Sequence, residues 1–300
     1  MNPKHIILTL LIMLCPIGMA AQSTITRHKP KPAVTKPKPA AKPKPKAKAK
    51  PAPRRNSTHH SGSTSSTVSL SAELNKLINN MVYVSGGTFT MGGTSEQGSD
   101  ADNDEKPTHS VTLSSYYICK YEVTQALWRA VMGSNPSNFR GDNLPVESVS
   151  WNDCQTFISR LNSYTGRNFR LPTEAEWEFA ARGGNYSRHY KYSGSNYIDD
   201  VAWYGDNSGD RTHPVGTKQA NELGLYDMSG NVWEWCSDWY GSYSSYSQTD
   251  PIGPNNGSNR MDRGGCWGNF AKRCRPAYRS YGTPGYRDHG RGLRLVLSQL

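Results

Sequence analysis

The stretch RLPTEAEWEFAARGG, residues 170–184, decides how the chain is read. Thr173 and Glu176 stand at the spacing of a capping box: the hydroxyl takes the amide three residues on, and the carboxylate returns to the cap amide. A helix is therefore predicted from just after Thr173, with Trp177, Ala180 and Ala181 facing inward. The pair Gly183-Gly184 stops it.

Working outward, two further helices carry comparable punctuation. Thr124 caps a segment with Leu127, Trp128 and Val131, closed by Gly133. Ser150 caps a second, with Asp153 in its first turn, an apolar stripe of Trp151, Cys154, Phe157, Ile158 and Leu161, and Gly166 as terminator. Order is expected from about Leu70, because Leu70, Leu74, Leu77 and Ile78 recur at helical spacing. MVYVSGGTFTMGG, residues 81–93, alternates and carries paired glycines, which predicts a β-hairpin. Residues 111–121 predict one strand, and GLRLVL, 292–297, a closing strand. The acidic run with Asp100, Asp102 and Asp104 lacks the glycine and the distal glutamate of a calcium loop, so a solvated loop is expected. From 185 onward Tyr, Trp, Gly, Asn and Ser dominate and little regular structure is predicted. The fold class is α+β, with three short helices, much loop and no internal repeat.

Charge divides the 300-residue chain. Between Gln22 and Leu70 the charged residues are twelve Lys and Arg with no acid. The net charge of +11 therefore belongs to that segment, and everything after it sums to about −2. A nucleic-acid role for the folded part loses its main support. KPKPAVTKPKPAAKPKPKAKAKPAP, residues 29–53, is expected to be an extended polyproline-like spacer, reaching at most about 80 Å at ~3.1 Å per residue. The alternative is an electrostatic tether to anionic cell-envelope polymer or membrane headgroups. Residues 1–21 read as an export signal: Lys4 and His5, an apolar run from Ile6 to Cys15, then Gly18, Ala20 and Ala21. The domain plan is thus signal 1–21, basic linker 22–69, globular domain 76–300. Export makes disulfides the default for Cys119, Cys154, Cys236, Cys266 and Cys274, with one thiol left over.

Eight strings then occur in one order: GGTFTMG, EKPTHSVTL, YEVTQALW, VSWNDCQTF, RLPTEAEWEFAARGG, GLYDMSGNVWEWCSDWY, RGGCWGN and GLRLV. Together, over about residues 80–297, they resemble the sulfatase-modifying-factor, or formylglycine-generating-enzyme, family. The resemblance implies a mixed fold of C-type-lectin-like character. It also implies, for active members, oxidation of a sulfatase cysteine to formylglycine with oxygen and copper on a cysteine pair five residues apart. Here the corresponding segment is RGGCWGNFAKRCRPAYRS. Cys266 stands where the family has serine, Asn269 where it has the first copper cysteine, and Cys274 follows. Cys266 and Cys274 are read as disulfide partners, with each other or with Cys236; an inert thiol and a shifted copper site are the other readings. The family's structural calcium transfers to Gly230, Asn231, Val232 and Glu234, where oxygen ligands suit a hard cation. Iron-dependent sulfoxide synthases among the relatives use clustered histidines that His109, His189, His213 and His289 do not reproduce.

The expected function is that of an exported, non-catalytic binding or envelope-scaffold protein. Its ligand would be a protein or glycan, held in a cleft lined by Trp267, Asn269, Arg275, Arg279 and Arg287. Arginine forks and rigid aromatic area favour such surfaces. The alternative is a formylglycine-generating oxidase acting on sulfatases.

Overall fold

The computed structural model describes residues 64–298, with side chains from Leu70. The signal read over 1–21 and the basic segment before residue 64 lie outside the described residues. No helix among those described is long and apolar enough to cross a membrane.

Helix α1 (Thr64–Asn79) starts earlier than the leucine spacing predicts. Leu77 is buried, and Leu70, Leu74 and Ile78 pack on the same core. Helix α2 (Gln125–Met132) has Thr124 accepting the Leu127 amide at 3.3 Å, and Gly133 in the left-handed region at φ 78°. Helix α3 (Trp151–Thr165) carries a complete capping box between Ser150 and Asp153, and stops at Gly166. Helix α4 (Glu174–Ala181) has the same device between Thr173 and Glu176, at 3.1 and 2.8 Å. These boundaries follow from local chemistry alone, so they are readable without tertiary information. A one-turn helix α5 (Ile198–Val201) is additional.

The strands depart from expectation. Strand β1 (Met81–Val84) and β2 (Gly87–Met91) do not form a hairpin. They enter different sheets, β1 pairing with β4 (Tyr116–Cys119) and β2 with β3 (His109–Leu113), both antiparallel. The single strand predicted over 111–121 is accordingly broken at Ser114-Ser115, where the chain changes sheet. Gly86 sits there with its Cα so close that a Cβ would meet the Leu113 carbonyl oxygen at 2.4 Å. The first sheet runs β1-β4-β11-β5, with β5 at Phe169–Arg170 and β11 at Val296–Leu297. A second runs β10-β6-β8-β9, with β6 (Trp233–Trp239), β8 (Arg260–Arg263), β9 (Ser280–Gly282) and β10 (Arg291–Gly292). The third runs β2-β3-β7, with β7 at Gln248–Thr249. The seven-residue β6 is regular structure in a region expected to have little. The closing GLRLVL is two short strands instead of one.

Helix α4 is buried along its whole length, its three glutamates included. Each glutamate meets arginine: Glu176 meets Arg170, Glu174 meets Arg279, and Glu178 meets Arg182 and Arg263. Trp177 is fully buried on the same helix, and Trp235 is fully buried on β6. Rings of this size bury about 150–250 Å², so each contributes about 4–6 kcal/mol at ~25 cal/mol/Å². The Trp177 Nε1–H donates to Glu234 at 2.6 Å, and Arg294 covers the same carboxylate at 2.7 Å. Removing one partner of such a pair strands a buried charge, costing about 3–5 kcal/mol. Arg294→Met is therefore expected to cost that much in urea unfolding. The double variant with Glu234→Gln should recover part of the loss.

The acidic run is packed, not simply solvated. Glu105 is fully buried against Arg275, and Gln97 against the same guanidinium. Asp102 and Asp100 hold Lys272 and Lys191.

Candidate functional site

The residues expected to line a cleft do not converge. Arg275 has no exposure: it donates to Glu105 at 2.6 and 3.0 Å, and to the Gln97 side chain and the Lys272 carbonyl. Arg287 is on the surface, with its Nε and Nη2 donating to Asp153 at 2.6 and 2.7 Å. Trp267 is half-buried, its Nε1–H donating to the His289 carbonyl at 2.9 Å and its ring meeting Phe139 edge-on. Asn269 closes a turn on Cys266: its Oδ1 accepts the Cys266 amide at 3.0 Å, and its own amide donates to the Cys266 carbonyl at 2.9 Å. Only Arg279 of the five borders the cleft described below.

All five cysteines from Cys119 onward are free and buried, so the expected disulfides are absent among the described residues. Cys274 lies in a small apolar cluster with Tyr192, Val201, Ala202 and Tyr204. Its thiol faces the Phe270 carbonyl at 4.0 Å and the Cα of Gly265, where a Cβ would meet the sulfur at 2.7 Å. Cys266 packs against Gly290 instead. Burial pushes the Cys266 thiol up to about 11 and the Cys274 thiol further, and a charge on one opposes a charge on the other. Copper(I) needs two accessible thiolates. This pair, both buried, one in an apolar cluster and the other against Gly290, does not fit it. Alkylation of the unreduced chain should leave Cys119, Cys154, Cys236, Cys266 and Cys274 unmodified when native. All five should react once it is denatured, read by mass spectrometry.

In the turn assigned to calcium, the side chains of Asn231 and Glu234 and the amides of Gly230 and Val232 have protein partners. Glu234 is taken by Arg294 and Trp177. Asn231 sits at φ 58°; its Oδ1 accepts the His213 amide, and its Nδ2 donates to Glu122 and the His213 carbonyl. Val232 donates its amide to Glu122, and Gly230 donates to the Gly264 carbonyl. Glu122 and Asp227 are buried carboxyls that the sequence reading missed. Burial pushes Glu122 well up and Asp227 to about 6. Among the described residues no three His, Cys, Asp or Glu side chains converge as metal ligands. As arranged, the side-chain oxygens of Asn231 and Glu234 are committed to protein donors, which does not suit a cation demanding six to eight oxygens.

A cleft of ≈ 320 Å³ lies elsewhere, between the start of α4, the end of β6 and the 241–254 loop. Its polar floor is Glu174, Asp238, Arg279 and His109, and its walls include Met91, Tyr243 and Ile252. Glu174 is paired: Arg279 donates two bonds at 2.7 and 2.9 Å and the Tyr243 hydroxyl one at 3.1 Å. Although burial acts to raise it, the Arg279 and Arg263 guanidiniums prevail, and they and these hydrogen bonds hold its carboxyl below the usual value. Asp238 accepts the Glu174 amide at 3.0 Å and the Ser237 hydroxyl at 3.0 Å, both on Oδ2. Burial, with Glu174 nearby, raises it to about 7. The signal in sequence is an acid at an inward position of β6, three residues after the buried Trp235. The adjoining hollow of ≈ 350 Å³ shares the Pro251-Ile252 wall.

Folding favours the protonated Asp238, because its carboxyl lies near 7 against 3.8 unfolded. That contribution is intact below about pH 4 and fades as pH rises toward 7. Asp238→Asn should therefore gain melting temperature relative to the parent between pH 4.5 and 7.5, on the order of a few degrees.

A mixed domain, with short strands in three sheets and loops pinned by buried arginines, is the class this geometry defines. Residues 67–299 match the sulfatase-modifying factor enzyme 1-like domain model, and the chain belongs to that family. It is 36% identical over 269 residues to the chaperone protein LppX of Paenibacillus barcinonensis, covering 73% of this chain and 89% of that one. It is 32% identical over 284 residues to the formylglycine-generating enzyme of Streptomyces coelicolor, covering 72% and 88%. Among solved structures, variable protein 1 of Treponema denticola superposes with a TM-score of 0.67 at 34% identity, covering 73% of this chain and 95% of that one. PvdO of Pseudomonas aeruginosa gives 0.64 at 27%, covering 73% and 94%.

Proposed function

We propose that this chain is an exported, non-catalytic member of the family that binds a partner through the cleft floored by Glu174 and Asp238. The observation that carries the reading is the state of the 266–274 segment. Asn269 closes a turn, and Cys274 is sealed among Tyr192, Val201, Ala202 and Tyr204. A copper-dependent oxidation has no accessible sulfur pair to start from. The likeness to a protein named a chaperone supports a binding role. Export is supported by the 1–21 pattern, and a tether to anionic envelope polymer or headgroups by the acid-free basic segment that follows.

The second reading, a formylglycine-generating oxidase, draws on the 32% identity to the Streptomyces enzyme. The two are separated by incubating the reduced, copper-loaded chain with oxygen and a cysteine-bearing sulfatase peptide. No aldehyde is expected. Aldehyde that forms with the parent and disappears with Cys274→Ser overturns the non-catalytic reading.

A further inference from the structure

Six of the buried acids in this domain share one arrangement. Glu105, Glu174, Glu176, Glu178, Glu234 and Asp262 each have an arginine within salt-bridge distance. Asp238, like Glu122, Glu147 and Asp227, does not: only 3% exposed, it takes part in no salt bridge among the described residues. The nearby arginines are committed elsewhere. Arg279 is spent on Glu174. Arg260 donates to the Ser237 carbonyl at 2.5 Å and is sandwiched between the rings of Trp151 and Trp239, at 4.0 and 3.5 Å. The two hydrogen bonds Asp238 accepts both fall on Oδ2, which leaves Oδ1 without one among the described residues.

That oxygen belongs to a residue on the floor of an open cleft. The same cleft is walled by Met91, Pro251, Ile252 and Pro254. Its volume, ≈ 320 Å³, falls in the range of about 300–1,000 Å³ usual for small-ligand sites. We propose, building on the binding role above, that this cleft takes a primary alkylammonium group, with Asp238 as its counter-ion and the apolar walls holding its alkyl chain. A single free carboxylate oxygen suits a compact point charge. A guanidinium asks for a fork of two oxygens, and a divalent cation asks for six or more. Glu174 offers neither of them an unpaired charge, because Arg279 already pairs with it and Tyr243 donates to it. A buried carboxylate lacking a partner is costly, and an incoming ammonium relieves that cost.

Titration of the full chain by calorimetry or NMR, at roughly pH 8 so that Asp238 is ionised, tests this with n-butylammonium, n-butanol and butyrate. Saturable binding of butylammonium is expected, at least about tenfold tighter than either control and lost in Asp238→Asn. The asparagine keeps an oxygen for the Glu174 amide. Equal affinity for the three compounds, or undiminished binding by the variant, overturns the proposal. Should the variant not fold, the ranking of the three compounds on the parent chain decides. A lysine peptide that competes with butylammonium, while its acetyl-lysine form does not, identifies a lysine side chain as the source. Continued butylammonium binding with no competition from either peptide identifies a free amine. Aldehyde formation in the copper experiment alongside amine binding overturns only the non-catalytic reading.

Discussion

One guanidinium ties the domain together. Arg294, with no solvent exposure, donates to both oxygens of Glu234 and to the carbonyls of Cys119 and Tyr226. Those four partners belong to β4, the 220s loop and β6. The same carboxylate takes the Trp177 indole from α4. A chain with so much irregular backbone must find partners for its buried carbonyls outside helices and sheets. Five donors on a rigid plane supply several at once. Arg263 repeats the device, reaching the Ala277 and Tyr278 carbonyls and Glu178 from a single position. Such pairs add little net stability over apolar packing, but breaking one is severe, so they fix which loops meet.

That economy explains what the sequence could disclose. Thr124, Ser150 and Thr173 announced their helices, because a cap is satisfied within four residues. The positions of Gly133 and Gly166 followed for the same reason. Sheet pairing could not be read so locally. Residues 81–93 have the alternation of a hairpin, yet their two strands find partners in different sheets through residues 109–119. The partner of β2 is more than ten residues away, and nothing in the Ser85-Gly86 step reports that.

The arginines were misread for a related reason. In sequence, Arg275 and Arg279 beside Tyr278 look like a contact surface. Burial reverses the inference, because each finds an acid more than a hundred residues away. The glutamates of α4 carry the complementary signal. Three acids on a helix that also bears Trp177, Phe179 and alanines cannot all face water, and buried acids imply buried cations. Asp238 escapes this logic from the other side. No arginine is allotted to it, and its place on the cleft floor separates it from Glu122, Glu147 and Asp227, which share that lack. The family's fold was legible from the ordered strings, but the thiols of Cys266 and Cys274 were not, since sealing a sulfur is a tertiary event.

The stretch from Arg279 to Arg291 is clamped at its ends, by Glu174 on one side and Asp262 on the other. Between the clamps, Tyr281, Thr283, Gly285, Tyr286 and His289 look outward. Arg287 does too, joined to Asp153 by a surface pair of small worth. Exchange of side chains there leaves no interior charge abandoned. Frame and face are thus separately adjustable, and one scaffold can display many different exteriors without relearning how to fold.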